Sequence, residues 1–459
     1  MITQPSVNDT PKFLAACLLL ALAAMAPCVA QNSPAAPDAQ PAPPPPTITL
    51  EEAIHRAQAN EPQYAAAVAA SRVASIDKSI ARAGLLPSAN FYNQGLYTQP
   101  NGQKNQAGQV GAQPAPRFIA NNAVREYASQ GVVDETIGLD QAAAVRRANA
   151  EAAKAAAEAE IARRGLVATV TELFYGSLAA DHKLIVADEA RKESEDFDKL
   201  TSQREQARES AHADVIKAQL ENQQRSRDWE DAKVAAEKAH LELGVLLFPD
   251  PRTSYALAAT DSPAPMPTHE DVEQSAAKNN PELKSALAAL ASSNADVQSA
   301  WGALLPNVGL NFNYGIDAPQ FAVNGPDGVR NLGYSASVTV NIPVWDWWAT
   351  ENKVKQSQIK RDAQKVALTN AQRRMIAELD ETYSEAQAAR DQLESLDLSV
   401  TTAAESLRLT RLRYTGGEAT VLEVVDAQSA YVSAANARED GRVRYESARA
   451  ALATLTGTM

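Results

Sequence analysis

Between Glu351 and Tyr414 the apolar residues Ile376, Leu379, Tyr383, Ala386, Ala389, Leu393, Leu396, Val400, Ala403 and Leu407 advance in threes and fours. That spacing puts one apolar stripe on an otherwise polar rod, the seam of a coiled coil, and predicts one long helix. A counterpart from about Gln141 to Arg204 is rich in Ala, Glu, Lys and Arg, all strong helix formers. Shorter helices are predicted over 50–86, 213–248, 270–305 and 419–455. A helix of about 64 residues is roughly 96 Å long and one of about 37 roughly 55 Å. Two short helices end to end therefore match one long one. Each long helix descends, turns at about Gln206 or Gly416, and is followed by a short one that climbs halfway, in a tube about 100 Å tall.

Two other stretches carry period two. Val308, Leu310, Phe312 and Tyr314 alternate with Asn307, Gly309, Asn311 and Asn313, and Tyr334, Ala336, Val338 and Val340 with small polar neighbours. Strands are expected over about 307–315 and 332–345, with less cleanly alternating ones over about 88–98 and 124–137. One apolar and one polar face fits a membrane strand with lipid outside and water inside. A half-buried strand in a soluble sheet gives the same pattern, so both readings stand. The connections 101–121 and 320–331 are rich in Gly, Asn, Gln and Pro and read as exposed loops.

The chain is internally duplicated. Thr49, Asn60, Pro62, Leu85, Leu86 and Pro87 recur as Thr268, Asn279, Pro281, Leu304, Leu305 and Pro306, all displaced by 219 positions. Glu172, Leu184, Val215, Ala218 and Gln219 recur as Glu381, Leu393, Val424, Ala427 and Gln428, displaced by 209. Two blocks holding register define repeats at 48–248 and 268–457, with a linker at 249–267. Upstream, the apolar run Phe13–Met25 ending in Cys28-Val29-Ala30 reads as a signal peptide over 1–30, and a Pro/Ala-rich spacer fills 31–47. Lipidation of Cys28 is the alternative, ill suited by Pro27. Both cysteines, Cys17 and Cys28, leave with such a leader, which excludes a disulfide framework.

The expected fold class is mainly α with a small β part, transmembrane if the strands face lipid. Four strands cannot close a membrane barrel, and an open edge in lipid leaves unpaired backbone groups. If the strands span a membrane, several chains share one barrel. Three chains give twelve strands and enough helices for a trimeric α-barrel beneath.

The ordered motifs resemble those of TolC-type outer-membrane efflux channels, the outer membrane factors, over about residues 48–457. They are Ile48-Thr49-Leu50-Glu51-Glu52-Ala53, the Asn-x-Pro at Asn60 and Asn279, both Leu-Leu-Pro elbows, Ile342-Pro343-Val344-Trp345-Asp346-Trp347, and Arg413 through Gln428. The resemblance implies a homotrimer and a 12-stranded barrel in outer membrane lipid above a periplasmic α-barrel. It also implies docking to a periplasmic adaptor (membrane fusion) protein fed by an inner-membrane transporter of RND or ABC type. Glu423 and Asp426 would ring the pore constriction; a solvated acidic helix face is the plainer account. Thr415, Gly416, Gly417 and Glu418 would form the adaptor-docking tip. Copy one has Ala207 and Arg208 where copy two has the glycine pair, which puts equivalent docking in doubt. Trp345, Trp347 and Trp348 fall at the level of membrane-interface aromatics, or plug the barrel-to-tube junction. Trp301 is expected to pack on its helix.

A net charge of −13 argues against nucleic acid as a partner. The five histidines, His55, His182, His212, His240 and His269, lack ligand spacing, and no phosphate loop or nucleophile elbow occurs. No enzyme activity, cofactor or metal is expected. The function expected is passive conduction in a tripartite efflux or type I secretion system; a secreted coiled-coil scaffold or adaptor without a pore is the alternative.

Overall fold

The computed structural model describes residues 46–97, 125–258 and 266–457 except 319, 326, 327 and 329. The expected signal peptide, most of the spacer, both cysteines and the loop at 101–121 lie outside them. The chain divides into Met1–Pro46 and Thr47–Met459, and the elements of the described residues lie in the second unit. In order these are β1 (Thr47–Ile48), α1 (Leu50–Asn60), α2 (Pro62–Ala83), β2 (Ser88–Tyr97), β3 (Arg125–Ile137), α3 (Leu139–Gln206) and α4 (His212–Leu247). The second copy follows as β4 (Ala256–Leu257), α5 (His269–Asn279), α6 (Pro281–Gly302), β5 (Asn307–Ala318), β6 (Leu332–Asn341), α7 (Ala349–Thr415) and α8 (Val421–Thr456).

The long rods are single helices of 68 and 67 residues, about 100 Å at 1.5 Å per residue. The first helix of each copy is instead broken in two. Pro62 and Pro281 cannot donate to the turn before them, so each starts a new helix. Glu61 accepts from Gln63 N at 3.2 Å, and Asn280 Oδ1 accepts from Leu283 N at 2.8 Å, capping the restarted helices.

Packing repeats with the sequence. Ala53, Ala57, Val170 and Leu243 lie in one buried cluster, where the parallel pair β1–β4, α1, α3 and α4 meet. Their displaced equivalents Val272, Ala276, Leu379 and Leu452 form another. A third cluster, Phe197, Ala218, Tyr414, Val421 and Val424, sits at the helical turns and draws on both copies. Along α7 the expected seam is buried at Leu379, Ala386, Ala389, Leu393 and Leu407, but Ile376 is 58 % exposed.

The sheet has the order β2-β3-β5-β6, antiparallel throughout, with β2 and β6 as free edges among the described residues. Register lines up one face as Ala89–Val133–Phe312–Ala336, and as Val308 beside Ile137 and Val340. The other face carries Ser88–Asp134–Asn311–Ser337, where Asn311 Nδ2 donates to Asp134 at 2.5 Å. Asn93 and Ser129 interrupt the apolar face in copy one and satisfy each other at 2.7 Å. A Cβ on Gly315 would stand 2.2 Å from Ser129 O, so β3 and β5 need a glycine there. β6 ends at Asn341 rather than near 345. Pro343 lacks a ladder donor, and Trp347 and Trp348 turn left-handed at φ 58° and 64°.

The two hairpin turns share one geometry. In copy two Gly417 N donates to Tyr414 O and Glu418 N to Arg413 O; in copy one Arg208 N donates to Glu205 O and Glu209 N to Arg204 O. Gly416 is ordinary helix backbone at φ −76°. Only Gly417, at φ 81°, needs the left-handed region, and its equivalent Arg208 adopts it at φ 62°. A left-handed L-residue carries a penalty of about 1–2 kcal/mol, which the extra chain entropy of glycine partly offsets. Arg208→Gly should therefore stabilise the subunit by about 0.5–1 kcal/mol in denaturant unfolding; a destabilised variant would show that the Arg208 side chain outweighs the turn.

One acid on α3 makes the fold pH-sensitive. Glu160 accepts from Arg163 at 2.8 Å and from Arg164 at 2.6 Å. The Arg163 hydrogen bond leads in lowering its pKa from 4.5 to about 2. A depressed carboxyl adds stability above its unfolded pKa and loses it as pH falls toward its folded one. The melting temperature should drop as pH falls from about 4.5 to about 2, and Glu160→Gln should flatten that drop; an unchanged pH profile would contradict it.

Candidate functional site at the hairpin tips and the strand-to-helix elbow

The tip of copy two begins where α7 ends. Thr415, Gly416, Gly417 and Glu418 are all exposed. Arg413 donates to Glu418 O at 3.0 Å and Thr415 to Leu412 O at 2.7 Å, so the exposed turn is held in one shape. Thr420 then starts α8 with a capping box: Glu423 N donates to Thr420 Oγ1 at 3.3 Å, and Thr420 N to Glu423 Oε2 at 3.0 Å. Glu423 thus has a structural duty as well as a charge. Asp426 lies three residues on, and both acids are exposed while Val421, Val424 and Gln428 are buried on the other face. Copy one offers Asp214 and Lys217 at the matching positions, so the paired acids belong to α8 alone.

The two tips are tied together. Arg204 on α3 donates to Tyr414 O at 2.7 Å and to Thr415 O at 3.3 Å, and its guanidinium covers the Tyr414 ring at 5.0 Å. Phe197 packs on the same ring at 5.0 Å, and Arg411 meets Glu193 at 3.0 Å. Sequence spacing did not point to this tie.

Higher up, three consecutive residues of α3 reach three partners. Asp181 meets His240 of α4 at 2.9 Å, His182 meets Glu439 of α8 at 2.9 Å, and Lys183 pairs with Asp440 of α8. Glu439 is buried and also takes Arg438 at 2.9 Å. Histidines that looked scattered are carboxylate partners in this crosslink, a pairing between helices that linear spacing hides. Among the described residues no group of His, Cys, Asp and Glu could hold a metal ion.

At the other end, Trp345 stands 5.8 Å from Trp347 and 5.5 Å from Trp348, both edge-on. All three are more than half exposed. Asp346 accepts from Thr350 N at 2.7 Å and from the Thr350 hydroxyl, which starts α7 and lowers the carboxyl's pKa. Copy one reaches α3 five positions after Asp134, whereas copy two reaches α7 eight positions after the matching Asn341, so the tryptophans sit in a longer elbow. Trp301 is half exposed on α6 rather than packed.

Comparisons with known proteins fit this architecture. Residues 272–458 match the family model "Outer membrane efflux protein". Protein CyaE of Bordetella pertussis is 25 % identical over 301 residues, which cover 64 % of this chain and 62 % of CyaE's own length. The Campylobacter jejuni CmeC outer membrane channel aligns with a TM-score of 0.73 at 16 % identity, over 89 % of this chain and 85 % of that one. The outer membrane protein VceC of Vibrio cholerae aligns at 0.73 and 16 %, over 89 % and 96 %. With the duplicated hairpins and the four-stranded sheet, these matches show that residues 272–458 carry an outer membrane efflux protein domain and that the chain has the fold of these outer membrane channels.

Proposed function

We propose that the protein is an outer-membrane channel-tunnel that conducts substrates passively from a periplasmic adaptor and inner-membrane transporter to the cell exterior. The observation that carries this reading is a four-stranded sheet, apolar on one face, whose two edges have no strand partner among the described residues. Its strands are 10 to 13 residues long, the length of tilted membrane strands. Open edges in hydrocarbon strand their N–H and C=O groups. Three copies pairing edge to edge give twelve strands and remove the deficit. No described helix is long and apolar enough to cross a membrane.

In this reading the polar face lines the water-filled barrel, the exposed tryptophans lie at the headgroup level, and the rods form the periplasmic tube. The exposed Thr415–Glu418 turn meets the adaptor. Glu423 and Asp426, three of each per ring, narrow the lower mouth and favour cations there.

Two substitutions test it. Val340 lies on the apolar face beside Val308, and Val340→Arg should reduce barrel insertion at a cost of about 2–4 kcal/mol. Normal assembly of that variant in outer membranes would mean that the strand does not face lipid. At the tip, Glu423→Gln combined with Asp426→Asn removes charge while Gln can still serve the capping box. Planar-bilayer recordings should show higher conductance and weaker cation preference; identical currents would remove the constriction assignment.

A further inference from the structure

The duplication makes the chain a template for its own interface. Within the chain, α3 packs on α6 and α8 of the second copy. The equivalent of α3 is α7, and the equivalents of α6 and α8 are α2 and α4. α7 therefore has a docking face for which this chain supplies no second α2 and α4.

That face is apolar where its internal counterpart is buried. Ala150 and Ala157 of α3 are each 7 % exposed; their equivalents on α7, Ile359 and Val366, are 71 % and 67 % exposed. On the opposing side Ser292 and Ala295 are buried, while the matching Val73 and Ile76 of α2 are 57 % and 60 % exposed. Val167 and Ala450 line one cleft between α3 and α8. Their equivalents Ile376 and Leu241 lie open, which explains the break in the α7 seam. Small residues fill the internal joint and large aliphatic ones wait at the outer joint.

One polar residue fixes the register. Arg164 is buried, and its Nη1 donates to Thr454 O at 2.9 Å and Asn279 O at 3.4 Å, carbonyls at the ends of α8 and α5. The residue 209 positions on is Arg373. It is exposed and, among the described residues, makes no hydrogen bond or ion pair. The acceptors translate to Asn60, at the end of α1, and Val245, in the last turn of α4. Carbonyls in a last helical turn lack helix partners and attract cations.

We propose that Arg373 of one subunit closes the seam by donating to the backbone carbonyls of Asn60 of the partner subunit and Val245 of the partner subunit. Around it Ile359, Val366 and Ile376 cover Val73, Ile76 and Leu241 of the partner subunit. The occupant is a second copy of this chain. This rests on the shared-barrel reading, and the sheet supports the same geometry independently. The internal pair Asp134–Asn311 transposes to Asn341 against Tyr92 of the partner subunit. That register places Val340 against Asn93 and Val338 against Gly95 of the partner subunit, keeping the apolar faces on one side.

The test uses full-length protein extracted in mild detergent. Arg373→Ala should shift half-dissociation of the assembly to about tenfold higher protein concentration or more, with the helical content of the subunit unchanged. Arg164→Ala should instead lower subunit melting independently of concentration. Oxidation of the double variant Ile376→Cys with Leu241→Cys should yield disulfide-linked dimers and trimers that neither single variant gives. If the wild-type mass is trimeric but Arg373→Ala assembles normally and the cysteine pair stays unlinked, the seam is wrong and the ring survives. A monomeric wild type would overturn both.

Discussion

An unpaired strand edge cannot be left in hydrocarbon, and under the proposed membrane role the two open edges of the sheet are the constraint on which the rest of the molecule depends. The sheet presents two such edges because each copy of the duplicated unit contributes only two strands. Side chains cannot substitute for missing ladder partners, so no change in core packing would let one subunit satisfy itself. The same incompleteness extends down the helices, where large apolar residues of α2 and α7 stand exposed at positions whose counterparts are buried. Sheet and rods are unfinished in the same sense and along the same side of the repeat.

Duplication also explains where the chain departs from symmetry. The internal joint uses Ala and Ser, which let α3 and α6 approach closely, while Glu160 holds Arg164, whose guanidinium reaches the ends of α5 and α8. The position matching Glu160 in copy two is Thr369, so Arg373 has no acid on its own helix turn to hold it. A side chain already committed within its subunit could not serve a second one. At the tips the asymmetry has another use. The acids of α8 have no acidic pair opposite them on α4, and the turn that needs a left-handed residue has glycine in one copy and arginine in the other. Arg204 nevertheless ties both turns through Tyr414.

At Glu423 the proposed pore role and a structural role fall on one side chain. Its carboxylate caps α8 through Thr420 N, which fixes the orientation of the first helical turn and thereby of Asp426 one turn on. A capped turn gives the two exposed acids a defined position at little entropic cost.

The sequence by itself determined the periodic elements. The threes and fours of α7, the period two of β5 and β6, the displacement of Asn-x-Pro and the Leu-Leu-Pro elbows are all local, and local spacing dictates which face of a helix or strand is apolar. It also placed Glu423 beside Asp426 on one helix face. Tertiary structure decided what those faces meet. Only the packed chain shows that Ile376 leaves the seam that its spacing assigned it, that Gly417 rather than Gly416 carries the turn, and that three histidine or lysine contacts crosslink α3 to α4 and α8. Pairing across helices depends on the relative rotation and height of separate rods, and residues 257 positions apart, such as His182 and Glu439, leave no trace in a pattern read along one strand or one turn.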